Sequence, residues 1–163
     1  MRLGGGQLVS MRRTPEFLVL APRDCRATLT RNHIGRLAFL RDGVVDIEPL
    51  GYVATGPWVF MRSAPGTKLD ALAHRPYVAF QVDEVHGPFD WRSVVAHGTI
   101  YHLPEDGSPI ERRERRSAVA AFRRVMPAAF TKRDPVPERG IVYGLHVDRL
   151  DGRMARRATS RAT

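Results

Sequence analysis

Ala64-Pro65-Gly66-Thr67-Lys68 separates a β-rich run from a short stretch with helical apolar spacing, and it concentrates the groups in this chain best suited to an anion. Backbone N–H groups at a helix start are unpaired and carry about half a positive charge, which suits a phosphate. The Thr67 hydroxyl adds a donor, Lys68 a mobile full charge, and Arg62 just upstream a fork. The same residues support a second reading. Thr67 with Asp70 three positions on resembles a capping box, in which side chains satisfy the helix's own donors. The turn alone does not choose between a phosphate cradle and a cap.

Other reactive side chains do not assemble into a motif. The six histidines lack a His-Glu-x-x-His spacing, and the single cysteine, Cys25, can neither pair nor complete a zinc set, so it reads as a small buried hydrophobe. His97 and His102 are five apart on one predicted strand, so they point to opposite faces. Ser93 has no Gly-x-Ser-x-Gly context, which excludes a hydrolase elbow. Asp83, Glu84 and Asp90 read as a charged strand end and loop that keep a sheet edge from aggregating.

The elements that must position the turn are mostly strands. Pro22 and Asp24 suit the first turn of a helix running to about Arg31. Gly35 to Leu40 and Val44 to Leu50 are β-rich and joined across Asp42-Gly43, a tight hairpin signal. In the second of these, Val45 and Ile47 alternate with Asp46 and Glu48, which predicts an apolar buried face and a polar wet one. Pro49 has no N–H, which interrupts the ladder and implies an edge, a bulge or a non-strand neighbour. Trp58 to Arg62, Tyr77 to Val82, Ser93 to Leu103 and Ile141 to Val147 read as further strands. Leu69 to Ala73 reads as a short helix, and Pro109 to about Met126 as an amphipathic one presenting Val119, Phe122 and Met126; Pro127 to Gly140 reads as a loop. Many short strands with brief helices argue for a small barrel rather than a doubly wound sheet.

A length of 163 residues and 43% hydrophobic content suit one domain with a real core. No apolar run approaches the roughly 20 residues that cross a bilayer, and no secretory leader is evident, so a cytoplasmic protein is expected. The net charge of +9 is unevenly placed: residues 1–15, 110–124 and 153–163 together carry +11, and the remainder −2. Apart from the helix at 110–124, the predicted barrel at 16–152 is therefore not the basic part, and 1–15 and 153–163 read as basic tails. That distribution argues against a surface that reads nucleic acid, and leaves an arginine-rich helix or tail touching RNA or acidic lipid as the alternative.

Five segments in order carry a family likeness: Ile34-Gly35-Arg36-Leu37-Ala38-Phe39, Glu48-Pro49-Leu50-Gly51-Tyr52, Gly66-Thr67-Lys68-Leu69, Pro76-Tyr77-Val78-Ala79-Phe80-Gln81-Val82-Asp83 and Trp91-Arg92-Ser93-Val94-Val95-Ala96-His97-Gly98. The order resembles the flavin-binding split-barrel family that includes pyridoxamine 5′-phosphate oxidase and the bacterial nitroimidazole-resistance-like proteins. The likeness covers about residues 20–103, with a fainter echo at 147–153. It implies a mainly β, α+β split barrel that forms a homodimer with two cofactor sites at the interface. The cofactor is FMN in most members, the deazaflavin F420 in some and haem in a few. By motif, Glu48, Pro49, Leu50 and Tyr52 would line the flavin ring, with Tyr52 or Trp91 stacking on it. Arg62, Ser63, Gly66, Thr67 and Lys68 would hold the phosphate, and Trp91 and Ser93 would reach the flavin of the other subunit. The implied function is an FMN- or F420-dependent oxidoreductase passing hydride to or from a small molecule, with no protein acid or base required. The alternatives are a non-catalytic flavin- or haem-binding module, or a nucleic-acid-associated protein using the arginine-rich helix and tails. One departure bears on the substrate: the oxidase has basic side chains on its second strand, where this chain has Asp46, Glu48 and Tyr52, which argues against pyridoxamine phosphate oxidation.

Overall fold

Asp42 and Gly43 both take positive φ, 52° and 81°, and close the hairpin between strand β2 (Ile34–Arg41) and strand β3 (Val44–Thr55) as their residue types demand. A second tight turn at Gly56-Pro57 returns β3 into β4 (Trp58–Ser63). The structure, a computed structural model, describes residues 14–157. The remaining elements are β1 (Pro15–Val19), α1 (Pro22–Arg31), α2 (Thr67–His74), β5 (Tyr77–Gly87), β6 (Asp90–His102), α3 (Pro109–Val125) and β7 (Ile141–Arg157).

All pairings are antiparallel, in the order β1-β7-β4-β3-β2-β5-β6, and a further β7–β6 pairing closes the sheet into a barrel with β1 added outside β7. The barrel is loosely seamed at two places. Strand β3 meets β4 only from Tyr52 to Thr55, and β2 meets β5 only from Arg36 to Ala38. One core fills the barrel, around Leu37, Tyr52, Phe80, Val94 and Leu145. A second lies between the sheet and α3, around Phe60, Leu103, Phe122 and Val142. Helix α3 opens with Ser108 as N-cap in a reciprocal capping box with Glu111, and it buries Ala118, Ala121 and Phe122. Met126 packs at the margin of that core, Val119 instead lies half-buried among the helix's arginines, and Glu114 of the charge cluster is itself buried.

Several expectations are corrected. Val45 and Ile47 are not the buried face: they are exposed (Ile47 60%), and Asp46 and Glu48 turn to the half-buried side, where Arg41 and Lys68 pair with them. Helix α2 caps that side of the barrel, so cations wait there for the acids. Pro49 does not interrupt β3, which runs through it opposite Arg36, but the edge it implies is present, since no strand pairs with residues 44–51 on the other side. The register explains why: Tyr52 donates to the His33 carbonyl at 2.9 Å, so even-numbered residues of β3 bond β2 and odd-numbered ones face away. Pro49 is odd-numbered and loses no ladder bond. The C-terminal strand runs to Arg157 rather than ending at Val147, so 153–157 are strand, not tail, and pair with β1 and β6. Pro15 likewise begins β1; the rest of the two expected tails, 1–13 and 158–163, lies outside the described residues. Asp83, Glu84 and Asp90 sit within β5 and β6, both longer than predicted. Among the described residues no helix is long and apolar enough to cross a membrane.

Candidate functional site

The Ser63-to-Thr67 connection delivers α2 across the free edge of β3. Residues 44–51 of β3 have β2 on one side and no strand on the other. The odd-numbered backbone groups there, including the Pro49 carbonyl, face the opening; the Ile47 amide, one of them, bonds the Asp46 carboxylate at 2.9 Å instead of a strand. Lys68, in the first turn of α2, reaches that edge and donates to Glu48 Oε2 at 2.7 Å. The pair is partly open, with side chains 18% and 34% exposed. An ammonium has three donors, so Lys68 keeps capacity for an incoming oxygen.

The helix start itself is uncapped. Gly66 is the N-cap residue, no side chain bonds the first-turn donors, and the Thr67–Asp70 capping box does not form because Thr67 is already the first helical residue. A Cβ at Gly66 would meet nothing within 4 Å, so the turn is open on its outer side. Between this helix and the β2–β3 hairpin is a cleft of about 670 Å³, walled by Thr67, Asp70, Ala71, His74, Arg75 and, from the hairpin, Leu40 to Gly43. Arg41, His74 and Arg75 were not picked out from sequence. His74 and Arg75 end the same helix that Thr67 begins, and only the hairpin's folding over α2 brings Arg41 to them.

Arg62 is placed elsewhere. Its side chain enters the second core, where Nε donates to the Arg139 carbonyl at 2.7 Å and Nη2 to Asp134 at 2.7 Å and to the Val136 carbonyl at 3.2 Å. The guanidinium also lies over Phe130, 4.2 Å from the ring centre. The Arg62 hydrogen bond, reinforced by the Phe130 and Val136 amides, holds the Asp134 carboxyl down to about 2 against the opposing effect of burial. Arg62 thus anchors the 127–140 loop and is not among the groups at the Lys68 turn.

Tyr52 and Leu50 point into the barrel. The Tyr52 hydroxyl donates to the Leu29 carbonyl at 2.7 Å and its ring packs edge-on to Phe80, so it offers no face to a flat ligand, and burial pushes its phenol up. Ser63 donates to the Ala64 carbonyl at 3.0 Å. Trp91 and Ser93 lie on β6 away from Lys68: Ser93 accepts from Gln81 at 3.1 Å, and Trp91 packs on Phe17 and lines another cleft, of about 550 Å³, with Arg31, Glu84 and Arg92. Within one chain the structure therefore brings together Glu48, Pro49, Gly66, Thr67 and Lys68, and not Tyr52, Arg62, Trp91 or Ser93.

Comparison with known proteins places this arrangement. Residues 21–154 match the model of the pyridoxamine 5′-phosphate oxidase family. The chain belongs to that family. A family relative, an uncharacterized protein of Rhizobium meliloti (strain 1021), is 31% identical over 86 residues; the match covers 53% of this chain and 57% of the relative's length. Among solved structures, an FAD-binding protein from Mesorhizobium loti is 26% identical, with a TM-score of 0.67 over 84% of this chain and 96% of that one. An FAD- and heme-binding protein from Mycobacterium smegmatis is 18% identical, with a TM-score of 0.63 over 86% and 75%. The split-barrel architecture expected from the segment order is thus the architecture of this chain.

Proposed function

We propose that this family member binds a flavin nucleotide, with a phosphate at Gly66-Thr67-Lys68 and the ring against the open edge of β3, and acts as an oxidoreductase on a small molecule. The observation that carries the reading is the meeting of an uncapped helix start, a half-open Lys68–Glu48 pair and eight residues of β3 without a strand on that side. Anion donors and free backbone polar groups are what a phosphorylated heterocycle requires. Bound there, a flavin would supply hydride transfer. The chain's part is to bind and orient: Lys68 and the first-turn amides hold the anion, Glu48 sets where the ammonium points, and the edge carbonyls meet the ring's polar rim.

FMN is the expected form and F420 its alternative. FAD is a second reading, supported by the extra room: Arg41, His74 and Arg75 line the cleft that continues past Thr67, where a second phosphate and its nucleoside would find cations. Two supports extend the proposal to a homodimer. Ile34, Val45, Ile47 and Tyr77 are exposed on the outer sheet face next to the open edge, and register places Val45 beside Leu40 and Ile47 beside Ala38 and Ala79. Trp91 and Ser93, away from Lys68 within one chain, become available from a second copy.

The test is to purify the full chain gently, denature it and identify any released chromophore by absorbance and mass, then titrate the stripped protein with FMN, FAD, F420 and haem. A flavin released or bound supports the reading; binding of haem alone, or of none of the four, overturns it. Sedimentation of the wild type and of Ile47→Glu checks the dimer, which the charge should dissociate without unfolding the barrel.

A further inference from the structure

A second cleft, of about 480 Å³, opens on the other flank of α2, between that helix, the end of β6 and the start of β7. Its size lies within the roughly 300–1,000 Å³ of small-molecule sites. Leu69, Leu72, Ile100 and Ile141 supply an apolar floor, and two aromatic rings 5.3 Å apart, His102 and Tyr143, face it; Tyr101 borders it with its ring packed edge-on to Trp58. Asp70 and Glu111 are the only charged side chains in the lining, with no lysine or arginine, in a chain whose net charge is +9. Asp70 has no side-chain partner among the described residues. Glu111 uses one oxygen to cap α3, at 2.6 Å from the Ser108 amide.

Tyr143 adds a polar group that opens on this cleft. Only 7% of the residue is exposed, its hydroxyl makes no hydrogen bond among the described residues, and it lines the cleft. The oxygen is not sealed off, so its partner comes from the cleft itself, water or a ligand. Burial and, next, the charge of Asp70 push Tyr143 up to about 12, which places that carboxylate near enough to be felt by the ring.

We infer that this cleft binds an organic cation, a primary or quaternary ammonium carried on an apolar or aromatic body. Carboxylates paired with aromatic faces are the lining that favours an ammonium over water, and apolar walls take its body. The lining repels a phosphate, so the cleft is distinct from the anion site at Lys68, and the inference does not rest on the flavin assignment. The two sites use opposite flanks of one helix, with Asp70 bordering both clefts.

The experiment titrates the full-length chain at neutral pH with three probes of one shape: phenethylamine, 2-phenylethanol and 3-phenylpropionate. Calorimetry gives affinity and backbone amide shifts give location. Phenethylamine should bind saturably, at least about tenfold tighter than the alcohol, with the carboxylate weakest, and shifts should centre on Ile100 to His102 and Tyr143. Asp70→Asn should remove the preference for the amine and leave the affinity for the alcohol unchanged. The inference is overturned by no saturable amine binding, by equal amine and alcohol affinities, by shifts centred elsewhere, or by a preference that survives Asp70→Asn. If that variant does not fold, the probe ranking and shift map on the wild-type chain decide the matter.

Discussion

Two cation–carboxylate pairs flank the Ser63–Gly66 connection, and they have opposite fates. Arg62 and Asp134 are sealed, with side chains 6% and 2% exposed, and backbone carbonyls and amides bond the rest of the pair except Arg62 Nη1, which is buried without a partner. Lys68 and Glu48 sit at the boundary, and each uses one of several bonding positions on the other. Both cations are equally plausible phosphate ligands by residue type. What separates them is the surrounding shell: a charge enclosed by its own chain holds structure, and a half-open one can exchange its partner for a ligand.

Four measurements break or sharpen that contrast. Arg62→Ala should have the largest effect, because it leaves Asp134 buried and unpaired; the expected fall in Tm is on the order of 10 °C, read by thermal melting. A Tm unchanged by Arg62→Ala would return the guanidinium to the candidate ligands. Thr67→Ala with Lys68→Ala should do the reverse, barely moving Tm. Hydrogen bonds to charged groups contribute about 1.5–3 kcal/mol each, so flavin affinity should fall by at least about tenfold in titrations of the stripped protein. If affinity holds, the turn is merely a helix start.

The third measurement is acid stability. Asp134 is held at about 2 in the folded chain against an ordinary value near 3.8, so its contribution is complete above about 4 and is lost as pH falls towards 2. Melting across that window should show a steep loss in the wild type and a shallower one in Asp134→Asn. Lys68→Ala should not alter the slope. The smallest effect is expected from Glu48→Gln, which frees Lys68 from a partly exposed partner; phosphate or flavin affinity should rise by about twofold to fivefold. A fall would mean that Glu48 itself meets the ligand.

Local chemistry was legible where it closed within a few residues. Asp42-Gly43 demanded a hairpin and made one, and Pro22 opened α1. Thr67-x-x-Asp70 has the spacing of a capping box and forms none, whereas the box that forms is Ser108-x-x-Glu111, with a glutamate long enough to reach back to the cap amide. The β3 alternation was visible, but which face is covered was not: Val45 and Ile47 obey period two and still lie outside. Nothing in the strand says on which side α2 will fold.

By itself, then, the order of short segments determined the split barrel and the family, and residue types determined that the Gly66-Thr67-Lys68 turn could take an anion. Only the tertiary structure decided that Lys68 is available and Arg62 is not. Arg62 meets Asp134 across 72 positions of chain, and Lys68 meets Glu48 across 20. Such pairings depend on which strands neighbour one another and which loop covers them, and a charge's role follows from that enclosure because burial sets the cost of leaving it unpaired.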